Sequence, residues 1–129
     1  MSAKQRINPP AVGQPTGFSH AVRSGNTIYI AGQVARNAQG QTVGPGDIRA
    51  QAEQVFANLK TVVEAAGGTL DDFVKITIFT TDIGYRPVIA EVRSRYFKAD
   101  ALPASTLVQI PALADPEFLL EIEAIAEVG

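Results

Sequence analysis

Two carboxylates, Glu121 and Glu123, are the residues of this sequence best placed to do chemistry. They lie in the stretch LPASTLVQIPALADPEFLLEIEAIAE over residues 102–127, which reads as two strands joined by a loop carrying Pro111 and Pro116. Alternation sends Phe118, Leu120, Ile122, Ala124 and Ala126 to one face of the second strand, and Leu119, Glu121, Glu123 and Ile125 to the other. The carboxylates are then about 7 Å apart on a face otherwise aliphatic. Burial of such a face raises a carboxyl pKa toward neutrality, which suits proton exchange with a bound water. The alternative is a structural ion pair with an Arg or Lys of the same or a neighbouring subunit, and Lys75 lies on the equivalent face of another strand. Both readings are open for Glu121, and the pair is favoured for Glu123. In the preceding strand Ser105, Leu107 and Gln109 share one face, and Thr106, Val108 and Ile110 share the other.

Other chemistries find less support. The chain has no cysteine, so disulfides, thiolate metal sites and thiol nucleophiles are excluded. Its only histidine, His20, sits in a strand beside an aromatic residue, where a structural role is the more common one. Gly44-Pro45-Gly46 precedes a helix but lacks the lysine and spacing of a phosphate loop. Glu121 and Glu123 have no evident partner ligands for a metal. The expectation is a site with neither metal nor cofactor.

The elements that must position these groups follow from pattern. Residues 1–16 read as an extended N-terminal arm. Residues 18–24 and 27–34 form a hairpin about Ser24-Gly25-Asn26. In its second strand Ile28, Ile30, Gly32 and Val34 share one face, and Tyr29, Ala31 and Gln33 the other. Gly32 marks a bulge or a close approach to the backbone. Residues 36–46 read as a loop or short extra hairpin. Asp47 is an N-cap, and Ile48, Ala52, Val55, Phe56, Leu59, Val62, Val63 and Ala66 recur at helical spacing up to Gly67-Gly68. Residues 74–82 form a strand with Val74, Ile76 and Ile78 opposite Lys75, Thr77 and Phe79. A second helix spans residues 86–97, with Pro87 in its first turn.

At 129 residues and 46% apolar composition, this is one α/β domain with a real core. A single mixed β-sheet takes two helices on one face. The other face, with Tyr29, Gln33, Lys75, Phe79, Leu107, Leu119 and Ile125, is too apolar to stay wet. Self-association in a closed ring covers it. The net charge of −2, with no basic cluster, argues against nucleic-acid binding. No apolar run approaches the roughly 20 residues that span a bilayer. Without an apolar leader, a cytoplasmic protein is expected.

The segments TGFSHAV, IAGQV, AQAEQVFANLKTVVEAAGG, DFVKITIFTTD, RYF, LPASTLV and EIEAIA together resemble the RidA/YjgF family of enamine/imine deaminases, over nearly the whole chain. The resemblance implies a chorismate-mutase-like fold assembled as a homotrimer, sheets inward, with ligand clefts between subunits. Members of that family hydrolyse 2-enamines and 2-imines to 2-keto acids and ammonia without metal or cofactor. The glutamate opening EIEA, which positions a water, matches Glu121. The strand glycine beside the ligand matches Gly32.

The departures are specific. An arginine of a P-A-R-S motif clamps the substrate carboxylate in the family; this chain reads Pro103-Ala104-Ser105-Thr106, with Ser105 at that position. The cleft tyrosine position is Phe18, the small polar thiol position that often follows the arginine is Leu107, and the position of a helix asparagine is Ala90. Losing two charge-assisted hydrogen bonds removes about 3–6 kcal/mol, on the order of 10²–10⁴ in affinity or rate. The expected site is therefore Glu121 and Ser105 for the chemistry. Phe18, Gly32, Gln33, Phe79, Tyr85, Thr106 and Leu107 line the cleft, and in the enzymatic reading a basic residue of a neighbouring subunit, with Arg23, Arg86 and Arg93 as the candidates, supplies the missing charge. The partners expected are other copies of the chain and a small molecule. Two functions remain: a hydrolase of a reactive imine, enamine or related carbonyl compound without the usual 2-imino acid specificity, or a binding trimer that has lost the chemistry.

Overall fold

Strand alternation and helical spacing converge on one apolar layer between sheet and helices. The computed structural model describes residues 3–129. In chain order the elements are β1 (Gln5–Ile7), β2 (Ala21–Ser24), β3 (Thr27–Gln33), α1 (Ile48–Ala65), β4 (Phe73–Thr80), α2 (Arg86–Ser94), β5 (Ala104–Gln109) and β6 (Leu120–Glu127). The six strands form one sheet in the order β1-β2-β3-β6-β4-β5. Only β4 and β5 run parallel, joined by α2 as a crossover; the remaining neighbours are antiparallel. The sheet is therefore mixed, with both helices on one face.

The core lies under those helices. Ile28, Ile30, Ile76, Ile78, Leu120 and Ile122 from the sheet meet Val55, Phe56, Leu59 and Val62 of α1 and Ile89 and Val92 of α2, all buried. Each such side chain contributes roughly 1.5–3 kcal/mol by leaving water. The Asp47 side chain accepts a bond from the Ala50 amide at 3.1 Å and starts α1. Gly67, at φ 91°, ends it, and the Gly68 amide donates back to the Val63 carbonyl at 2.9 Å.

Four local expectations are corrected. The N-terminal segment is not only an arm: Gln5–Ile7 adds an edge strand to β2. A register shift between Phe73 and Lys75 turns Val74 outward, leaving it 45% exposed, and Phe73 takes the core place. The second helix ends at Ser94 rather than at residue 97, although Phe97 still packs edge-on to Phe56 with ring centroids 6.2 Å apart. Gln33 is not on the open face. A register shift between Ile30 and Gln33 reverses the alternation, so Gln33 stands opposite core residue Ile122 and is 2% exposed.

Candidate functional site

The same irregularity in β3 builds the site. It brings Gly32 against the second residue of β6, Glu121, whose carboxylate lies over the glycine backbone. A Cβ at position 32 would stand 2.6 Å from the Glu121 Cδ, so only glycine leaves room for the carboxyl where it is. Glu121 is paired in register with Phe79 of β4, on the face away from the helices. It lines a hollow of about 340 Å³ together with Phe18, Gly32, Arg36 and Phe118. Phe18 is 52% exposed there and meets the His20 ring edge-on, with centroids 5.5 Å apart.

Burial, and secondarily the charge of Glu123, hold the Glu121 carboxyl above the ordinary glutamate range. No lysine or arginine offsets this: none of the three ion pairs among the described residues includes either glutamate. Lys75 instead donates to Thr106 Oγ1 at 2.6 Å. The intrachain ion pair that was the alternative for these carboxylates is not formed.

Other expected site residues go elsewhere. Ser105 pairs in register with Ile76 and Leu107 with Ile78, so both face the helix side. They line a separate hollow of about 530 Å³ with Ile83, Arg86, Ala90 and Arg93. Arg93 Nη1 donates to Ser105 Oγ at 3.4 Å. Within one chain, Ser105 and Glu121 are on opposite faces of the sheet. Thr106 is on the open face, occupied by Lys75. Tyr85 packs partly buried against the core, because the turn Ile83–Tyr85 directs it inward at the start of α2. Gln33 donates through Nε2 to His20 Nδ1 at 3.1 Å, and His20 Nε2 donates to the Gly13 carbonyl at 3.0 Å. These bonds fix the orientation of the buried His20 ring and give it a structural role.

Of the expected sources of charge, Arg23 is committed elsewhere. It donates to the Ala66 carbonyl at 2.8 Å and the Gly25 carbonyl at 2.9 Å, closing the C-terminus of α1 against the hairpin. Arg86 and Arg93 flank Ser105. The residue missed in sequence is Arg36, assigned there to a loop. Its signal was modest: a cation four residues beyond Gly32, just after the end of the same strand. Its guanidinium sits over the Phe118 ring, 4.9 Å from the centroid. Among the described residues, no three His, Asp or Glu side chains cluster closely enough to hold a metal ion. No described helix is long and apolar enough to cross a membrane.

The arrangement defines a class: a six-stranded mixed sheet backed by two helices, with a half-buried, unpaired carboxyl seated on a strand glycine. The family described as Endoribonuclease L-PSP matches residues 9–128. A 2-iminobutanoate/2-iminopropanoate deaminase of Dermatophagoides farinae is 38% identical over 126 residues, spanning 97% of each chain. The structure of a Rid family protein of unknown function, YyfA from Yersinia pestis, superposes with a TM-score of 0.92 at 35% identity, covering 98% of this chain and 100% of that one. RidA from a Psychrobacter species gives 0.90 at 36% identity, covering 96% and 99%. The chain belongs to this family, the RidA/YjgF proteins.

Proposed function

We propose that this protein hydrolyses a small reactive imine or enamine, with Glu121 as the proton-transferring group. The single observation that carries the reading is the unpaired Glu121 carboxyl, raised in pKa by burial and seated over Gly32. The deaminase from Dermatophagoides farinae supports the reaction class. Water attacks the imine carbon as Glu121 takes one of its protons. The C–O bond forms, and the C=N electron pair moves to nitrogen. Glu121 hands that proton to the nitrogen and then carries the proton of the new hydroxyl to the amine, and the C–N bond breaks so that ammonia leaves as the carbonyl forms. Glu121 returns to its starting state. A carboxyl with a pKa nearer neutrality both accepts and releases that proton readily.

The cleft is completed by other copies of the chain, in a homotrimer with its open sheet faces inward. Two features support this. Tyr29 is 52% exposed on a face that also holds a concavity of about 510 Å³ lined by Tyr29, Lys75, Glu123 and Ile125. The Ser105 hollow and the Glu121 hollow are on opposite faces, so only a second copy can bring one to the other. With serine at 105, the family's usual grip on a 2-imino acid is absent from that position. This favours the second reading, a binding trimer without turnover.

The assay is ammonia release from 2-imino acids generated in situ by an amino-acid oxidase, with molecular mass measured by sedimentation. Turnover above the spontaneous rate by a trimer is expected; binding without turnover selects the second reading, and a monomer overturns the cleft. Gly32→Ala tests the seat of the carboxylate. Gly32 does not have positive φ, so stability should stay within about 1 kcal/mol. The displaced carboxylate should cost roughly 10²-fold in kcat. Unchanged kcat in a folded Gly32→Ala protein would mean that the position of Glu121 is irrelevant.

A further inference from the structure

The geometry points to Arg36 as the residue that binds the anionic group of the ligand, on the same wall of the cleft as Glu121. This rests on the imine-hydrolase reading for the ligand's class, a small imine or enamine bearing a carboxylate, and on the structure alone for the site.

Three observations lead there. Arg36 shares the Glu121 hollow within a single chain, whereas Arg86 and Arg93 line the hollow on the opposite face. Its guanidinium has no acidic partner: the ion pairs among the described residues use Arg49, Arg95 and Lys98. It is also held in place. The ring of Phe118, itself 2% exposed, lies beneath it. The buried Asn58 of α1 donates to both the Val34 carbonyl at 3.1 Å and the Arg36 carbonyl at 2.9 Å. The chain is bridged again between Arg36 and Thr42. The backbone of Arg36 is thus pinned, and its exposed guanidinium lies over one aromatic face. Its fork of N–H donors remains open for a planar carboxylate.

The arrangement also accounts for serine at 105. If the anion is gripped beside Glu121, the strand across the cleft need not carry a guanidinium. The carboxylate then lies toward Phe118 and the reacting carbon toward Gly32. Specificity shifts to anionic imines that fit this shorter, one-sided grip.

The test uses 2-iminobutanoate made in situ for turnover, and 2-oxobutanoate, the corresponding keto acid, for binding by calorimetry. Arg36→Ala should raise KM for the imine about 10²-fold or more, as expected for two lost charge-assisted bonds. It should weaken 2-oxobutanoate binding by a similar factor and change kcat much less. Arg36→Lys should recover part of the affinity. Turnover that depends on Glu121 with KM and binding indifferent to Arg36→Ala overturns the inference and spares the hydrolase. Binding that depends on Arg36 without any turnover spares the inference and removes the hydrolase. Loss of binding on Arg93→Ala but not on Arg36→Ala assigns the anion to the other wall. Absence of 2-oxobutanoate binding to the unaltered protein overturns the inference.

Discussion

Replacing Glu121 with glutamine lowers kcat for imine hydrolysis by about 10²–10⁴, the usual contribution of a positioned general base, while the protein stays folded. Glutamine keeps the shape of the side chain and its place over Gly32, but it cannot take a proton. The accompanying stability change has a definite sign. Burial, then Glu123, raises the folded pKa of Glu121 above its unfolded value, so folding favours the protonated form. The stabilisation is complete below the unfolded pKa and is lost as pH rises through the folded one. Above the folded pKa the ionised carboxylate therefore opposes folding, and Glu121→Gln should raise Tm there, with the difference vanishing in acid. Glu123→Gln removes the neighbouring charge, so the acid limb of kcat/KM should move to lower pH while activity persists. The decisive measurement is the pH profile of ammonia release by the three proteins. A Glu121→Gln enzyme retaining more than a tenth of its kcat would take the proton transfer away from this residue.

Gln51→Ala should destabilise the fold by about 2–4 kcal/mol, the range for leaving several buried polar groups unpaired. Gln51 is fully buried on α1. Its Nε2 donates to the Gly44 carbonyl at 3.1 Å and to the Glu117 carbonyl at 2.8 Å, and its Oε1 accepts from the Leu119 amide at 2.9 Å. One side chain thus ties the loop before α1 to the entry of β6, two residues from Glu121. Alanine leaves two carbonyls and an amide without these partners. Gln51→Glu places a carboxylate against the same carbonyls and should be at least as damaging. Urea unfolding reads the effect, and a loss below about 0.5 kcal/mol, the level of an ordinary surface change, would show that water replaces the amide there. Because Leu119 and Phe118 precede Glu121, a fall in kcat should accompany the loss of stability.

Much of the architecture was legible because its signals are local. Asp47 and Gly67-Gly68 bracket α1 through hydrogen bonds within a few residues of themselves. The alternation in LEIEAIA separated Leu120 and Ile122 from Glu121 and Glu123, as the structure does. Gly32 announced a close approach, and Glu121 is what approaches. The site was less legible. Arg36 looked like any loop cation until Phe118, 82 positions along the chain, came to lie beneath it. Tyr85 looked available beside the second helix and is packed on the core instead.

Alone, the sequence determined the two helices, five of the six strands, the two-faced character of β6 and the carboxylate worth testing, because each depends on neighbours along the chain. Tertiary structure decided which side of the sheet each alternating set occupies. That parity comes from inter-strand register: pairing Ser105 with Ile76 commits it to the helix side, and one irregularity beside Gly32 turns Gln33 into the core. A shift of a single residue exchanges the faces of a strand, and the contacts that select the register join segments far apart in the chain.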